Sequence, residues 1–255
     1  MGKVLTISVN TFKEIIRDRI LYGLVLFAIL IIGLSRAMAG LSFAEQERIV
    51  IDFGLAGMHL SVIVLSIFVG STLVSKELEK QTILTLLVRP ISRGEFILGK
   101  FFGFVLVELV LILGLALVLV AVLTAMAIPV DLAFSLGVLG MLLEAIVLTS
   151  LTMMFGIYSK PFLSITLVMG CFIIGHWLDS LNYFAQSSGS RLFRGTAEAL
   201  NYIFPNLERW NWKSVAVSKD LPSFEIVGSS AMSALAWTGL FICLTVFFFR
   251  RKDCA

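Results

Sequence analysis

The sequence predicts an all-α integral membrane protein with six transmembrane helices and little mass outside the bilayer. Three observations predict it. Apolar residues make up 58% of the 255 and charged residues 15%, with a mean hydropathy of +0.99; a soluble domain sits near ~45–50% and ~25%. Uncharged runs recur at 53–75, 109–130, 161–178 and 226–249, each close to the roughly 20 residues a helix needs to cross hydrocarbon. The Lys and Arg residues cluster between these runs. Such a composition excludes a soluble enzyme, a disordered or fibrous chain and a nucleic-acid-binding domain.

The runs give spans at 20–41, 53–75, 97–128, 132–158, 161–181 and 227–249, allowing Arg36 within the first and Glu144 within the fourth. An even number of spans puts both termini on one side. That side carries thirteen of the 20 Lys and Arg and the other seven, five of them in one long loop, so the termini are expected to be cytoplasmic. Arg36, near the outer end of span one, is expected to snorkel. Lys13, Arg17 and Arg19 before an apolar stretch, with Ala37-Met38-Ala39 beyond it, also suit a signal peptide. The basic region is too long for one, and Val4, Leu5, Phe12, Ile15 and Ile16 give it an apolar face. Of the three cysteines, Cys171 and Cys243 lie in apolar runs and Cys254 in the basic tail, so neither a disulfide framework nor a thiolate metal site is implied.

Three segments lie outside the spans. Residues 1–19 repeat Val4, Leu5, Ser8, Phe12, Ile15 and Ile16 at helical spacing, with Lys13, Glu14, Arg17 and Asp18 largely opposite. This is an amphipathic helix lying in the interface plane, either an anchor or a surface on which a partner pushes. Residues 76–100 place Glu77, Glu79 and Lys80 before Ile83, Leu84, Leu86, Leu87 and Val88, then Arg89-Pro90. That reads as a short amphipathic helix ended by the proline. Ser92-Arg93-Gly94-Glu95 then forms a capping box that opens the third span. A plain helix–helix connection needs about 2–8 residues, so this longer elbow suits docking. Residues 182–226, on the outer side, contain an amphipathic stretch at 191–204, with Tyr202, Trp210 and Trp212 expected at headgroup level. That loop either lies flat on the leaflet or plugs an exit path.

Residues 94–100 match G-x-x-x-x-G-K, yet Phe101 replaces the Ser or Thr that would meet magnesium. The capping box also places the segment at a helix start, where its N–H groups are largely bonded already, so no nucleotide is expected here. Within the spans, Glu108 and Glu144 fall at similar depth, where two neighbouring carboxylates would share a proton. His59 and His176 fall at comparable depth in the outer half, and Asp179 lies at i+3 from His176. These groups suit a proton or metal path, but hydrogen bonding to neighbouring helices is the preferred expectation.

The elbow sequence Glu77-Leu78-Glu79-Lys80-Gln81-Thr82, then Arg89-Pro90-Ile91-Ser92-Arg93, then Leu98-Gly99-Lys100, resembles type-2 ABC exporter permeases, whose spans two and three are linked by E-x-E-x-x-T, R/P and R, then GK. The amphipathic start with Lys13-Glu14 and Arg17-Asp18-Arg19 is similar, as is Tyr202-Ile203-Phe204-Pro205-Asn206 before the last span. The resemblance implies one permease domain over 1–255, with a connecting helix at 1–19, a cytoplasmic coupling helix within 76–96 and the outer loop at 182–226. It implies a non-enzymatic transport subunit in the bacterial inner membrane. This would pair with a second permease chain, identical or related, and two cytoplasmic ATPases that bind the ATP and Mg, with room for a periplasmic accessory protein. By position, Glu77, Glu79, Thr82, Arg89 and Arg93 would couple to the ATPase, and Lys160 would mark a second cytoplasmic contact. The alternatives are a secondary transporter of three-plus-three repeats, for which no matched Gly/Pro interruptions are seen, and an intramembrane enzyme using His176 and Asp179.

Overall fold

The structure, a computed structural model, describes residues 2–42, 44–73, 92–188 and 190–251. Six helices are long and apolar enough to cross a membrane. They are α2 (Arg19–Ala39), α3 (Gln46–Val64, carried on through a π-helical turn at Leu65–Val69 to Leu73), α4 (Arg93–Ala125), α5 (Leu132–Tyr158), α6 (Pro161–Ser187) and α9 (Phe224–Arg251). The chain begins with α1 (Gly2–Ile16); between α6 and α9 lie α7 (Arg191–Ile203), a 3-10 turn (Leu207–Trp210) and α8 (Lys213–Ser218). The described spans start and stop within a few residues of the expected ones, except that α3, α4 and α6 run further toward their polar ends.

Local signals account for the boundaries. Asp18 caps α2 by accepting from Ile20 N at 2.9 Å, and Asp131 caps α5 through Phe134 N at 3.1 Å. Ser92 and Glu95 form the reciprocal capping box expected of them, with Glu95 accepting from Ser92 N at 2.8 Å. Residues 94–100 are therefore helical, as the rejection of a phosphate loop requires. Pro161 opens α6, where its missing N–H leaves no bond unmade.

The most apolar stretch of α3 is 72% buried, whereas those of α2 and α6 are 22% buried. Helix α3 is thus the centre of the bundle, with α4 and α5 beside it. Tyr22, Leu26, Leu30 and Leu34 form an exposed apolar stripe on α2, as lipid contact requires. One end of the bundle carries the start of α1 and the end of α9 and is called here the termini face; the far face carries α7, the 3-10 turn and α8.

On the termini face α1 lies along the first turns of α4. The approach is close because Gly99 and Gly103 lack side chains: a Cβ at Gly103 would lie 2.5 Å from Ser8 O, and one at Gly99 would lie 2.6 Å from the Ile7 side chain. Small residues four apart let helix backbones meet. The buried side of α1 is Ser8, Thr11 and Ile15.

The outer loop does not hold Trp210 and Trp212 exposed at headgroup level. Trp210 is 1% exposed and Trp212 6%, and the Trp210 indole donates to Ser230 O at 2.8 Å. The 3-10 turn and α8 enter the bundle against α5, where a Cβ at Gly140 would collide with the Trp210 carbonyl oxygen. The composition of the loop suits an interface, but backbone access at a glycine lets the rings be buried in protein. Tyr202, on α7, is indeed exposed.

Candidate functional site

Two polar sites lie inside the bundle, each built on α3. At the π-helical turn, Ser66 donates to Glu108 Oε1 of α4 at 2.5 Å, and Thr149 of α5 donates to the same oxygen at 2.6 Å. Glu108 is wholly buried, and its Oε2 has no hydrogen-bond partner among the described residues. A π-turn adds a residue to the helix and re-aims its neighbours, and such turns recur at functional sites. Here it accompanies a serine turned onto the acid. Nothing in the sequence marked it.

The second site joins four elements. His59 of α3 meets Glu144 of α5, Nε2 to Oε2, at 2.7 Å. His176 of α6 approaches the other carboxylate oxygen, Nε2 to Oε1, at 3.4 Å, and its Nδ1 faces Phe172 O at 3.2 Å. Lys213 of α8 reaches down from the far face and places Nζ 2.7 Å from His59 Nδ1. Glu144 is 1% exposed and His59 7%.

Chemistry fixes the proton positions along most of this chain. An ammonium can only donate, so Lys213 makes His59 Nδ1 an acceptor and leaves the ring proton on Nε2, where it donates to Glu144. Burial pushes the Lys213 ammonium below the ordinary lysine range, against the pull of Glu144, Glu208 and Asp52. A backbone carbonyl can only accept, so His176 donates from Nδ1 to Phe172.

The structure thus brings His59 and His176 together, as their comparable depth suggested, but on Glu144, which was expected beside Glu108; it separates the remaining intramembrane groups. Glu108 and Glu144 do not meet: each has its own partners on α3, because depth fixes height along a helix and not the direction a side chain faces. Asp179 does not join His176. It is exposed and accepts from Asn206 Nδ2 at 2.7 Å, while His176 turns inward, so the intramembrane pair expected of an enzyme is not formed. Sequence reasoning missed Lys213, a loop residue whose only signal was its place next to Trp212.

On the termini face, Arg93 Nη1 donates to Phe249 O at 2.6 Å and Arg250 O at 3.1 Å, with its guanidinium over the Phe249 ring at 5.5 Å. A cation thus neutralises the carbonyl end of α9. Lys100, 4% exposed, reaches Glu14 of α1 at 3.1 Å. Lys160 is exposed at the cap of α6. Glu77, Glu79, Thr82 and Arg89 lie outside the described residues.

Comparison with known families decides what kind of bundle this is. The model of the ABC-2 family transporter proteins matches residues 17–184. The chain belongs to the ABC-2 family. A search of curated proteins found no match. As an ABC-2 protein the chain is a membrane permease of an ABC-type transporter, a non-catalytic transport subunit, in a family that typically works with cytoplasmic ABC ATPases. The match begins just before α2 and ends in α6, so it contains both polar sites apart from Lys213.

Proposed function

We propose that this chain is the membrane-spanning half of an ABC exporter, in which residues 76–100 transmit the ATP cycle of a separate cytoplasmic ATPase to the bundle. It would work as two permease chains, identical or related, on two ATPase subunits in the bacterial inner membrane, with the termini face cytoplasmic. The excess of Lys and Arg on that face supports the orientation.

The observation that carries the reading is the anchoring of the elbow's exit. Force applied to a loop is useful only if the loop ends on rigid elements with more than one arrangement. The elbow ends at Ser92, in a complete capping box. One residue on, Arg93 holds the end of α9, and two turns further Lys100 holds α1 through Glu14. A push on the elbow would therefore reach α1, α4 and α9 together, and Glu77, Glu79, Thr82 and Arg89 are the proposed contacts that receive it. Lys160, at the cap of α6, would be the second contact.

The test is to purify the chain with its cognate ATPase, reconstitute it, and reverse both Glu77→Lys and Glu79→Lys. ATP hydrolysis is expected to lose its link to substrate movement, or the complex to fail to assemble. Wild-type hydrolysis and transport after both reversals would contradict the reading.

A further inference from the structure

Both histidines of this 255-residue chain meet on one carboxylate, although they come from helices 117 positions apart. We propose that His59, Glu144 and His176 form an intramembrane site for a divalent transition metal of the Zn2+ class. The inference concerns this chain alone and does not depend on the exporter reading.

The cluster contains an unmet lone pair. His176 donates from Nδ1 to Phe172 O, so its Nε2 in the neutral ring is a bare acceptor. It faces Glu144 Oε1, also an acceptor, at 3.4 Å, and both atoms are buried without a hydrogen-bond partner. Two buried acceptors aimed at one another need a positive centre between them, a proton or a metal ion. Donors around tetrahedral zinc, at bond lengths of about 2.0–2.2 Å, lie roughly 3.4 Å from one another, which is the separation of His176 Nε2 from Glu144 Oε1. All three candidate donor atoms lie within 4.8 Å of one another. A ligating histidine typically gives its other N–H to a backbone carbonyl, as His176 does.

The donor set selects the class of ion. Two imidazole nitrogens and one carboxylate suit Zn2+, with Ni2+ and Cu2+ as near relatives, rather than the oxygen-seeking Mg2+ or Ca2+ or the thiolate-seeking Cu+. Three protein ligands leave a fourth position open. A polar cleft of about 620 Å3 opens on the far face, bordered by Glu45, Glu47, Asp52, Ser214 and Lys219.

Metal at His59 Nε2 moves the ring proton to Nδ1, where it faces the Lys213 ammonium, donor against donor. The lysine must then turn toward Asp52 or Glu208 or give up a proton to water. Loading the site thus breaks the Lys213–His59 bond, while the ion pair of Lys219, at the cap of α8, with Glu47 of α3 remains.

The experiment uses the untagged full-length chain in detergent, stripped with chelator and titrated with Zn2+ alone. Bound zinc is counted and the rings are followed by 15N NMR of labelled histidine, which shows only two imidazoles. One Zn2+ per chain and a shift of both Nε2 resonances are expected. His176→Ala and Glu144→Gln should each weaken binding by about 100-fold or more, since each removes one of three ligands, while Lys213→Met should retain the metal. If the alanine variant fails to fold, the wild-type spectra decide alone. Rings that titrate with pH yet ignore Zn2+ would mark a proton site and overturn the proposal. So would zinc held equally well by the double variant His59→Ala/His176→Ala.

Discussion

Glu108 shows how a single buried acid is accommodated. Both hydroxyls that reach it use the same oxygen, and Thr149 has no other acceptor among the described residues. Glu108→Gln keeps an acceptor for them, whereas Glu108→Leu strands the Thr149 hydroxyl. The leucine variant should lose about 1–3 kcal/mol more than glutamine, the penalty of an unsatisfied buried donor, read from thermal unfolding in detergent. Equal stability of the two would mean that the hydroxyls find other partners. Ala127 offers a change in the opposite direction. It follows α4 with φ 57, and the bonds Ile128 N to Leu123 O at 2.9 Å and Ala127 N to Thr124 O at 3.0 Å make a Schellman motif. Glycine is the natural occupant, since an L side chain in this conformation costs about 1–2 kcal/mol. Ala127→Gly should stabilise the protein by about 0.5–1 kcal/mol after the entropy that glycine adds to the unfolded chain, in the same unfolding assay.

At the scale of elements, two close approaches hold the non-spanning parts to the bundle. Gly103→Leu should detach α1, because the displaced atoms would be backbone of Ser8 rather than the tip of a flexible side chain. Spin labels on α1 and α4 should then report a lengthened and broadened distance, and an unchanged distance would deny α1 its fixed seat. Legibility divides along the same line. The spans, the capping box at Ser92 and the helix at 191–203 could be read from period and cap residues, which are local. The descent of Trp210 and Trp212 into the core could not. A tryptophan at an interface and one buried against glycine have the same neighbours in sequence, and only Gly140, distant along the chain, distinguishes them. For the same reason Lys213 stayed invisible, while His59, Glu144 and His176, as rare ionisable residues in apolar runs, were marked by their cost.

The whole molecule is a bundle with two differently equipped ends. The far face folds inward and places a lysine on the buried histidine–carboxylate cluster. The termini face ties α1, α4 and α9 together at the exit of residues 76–100. ABC-2 family members typically work with cytoplasmic ABC ATPases, and under the proposed function the second arrangement is the surface at which that work would arrive. That surface can be located directly. In a background carrying Cys171→Ala, Cys243→Ala and Cys254→Ala, Glu79→Cys is introduced and the chain is reconstituted with its ATPase. A short thiol-to-amine cross-linker, with ATP present or absent, should join Glu79→Cys to a lysine of the ATPase, and the yield should differ between the two nucleotide states. Labelling of the same cysteine by an impermeant reagent from outside intact cells, with no cross-link in either state, would contradict the account.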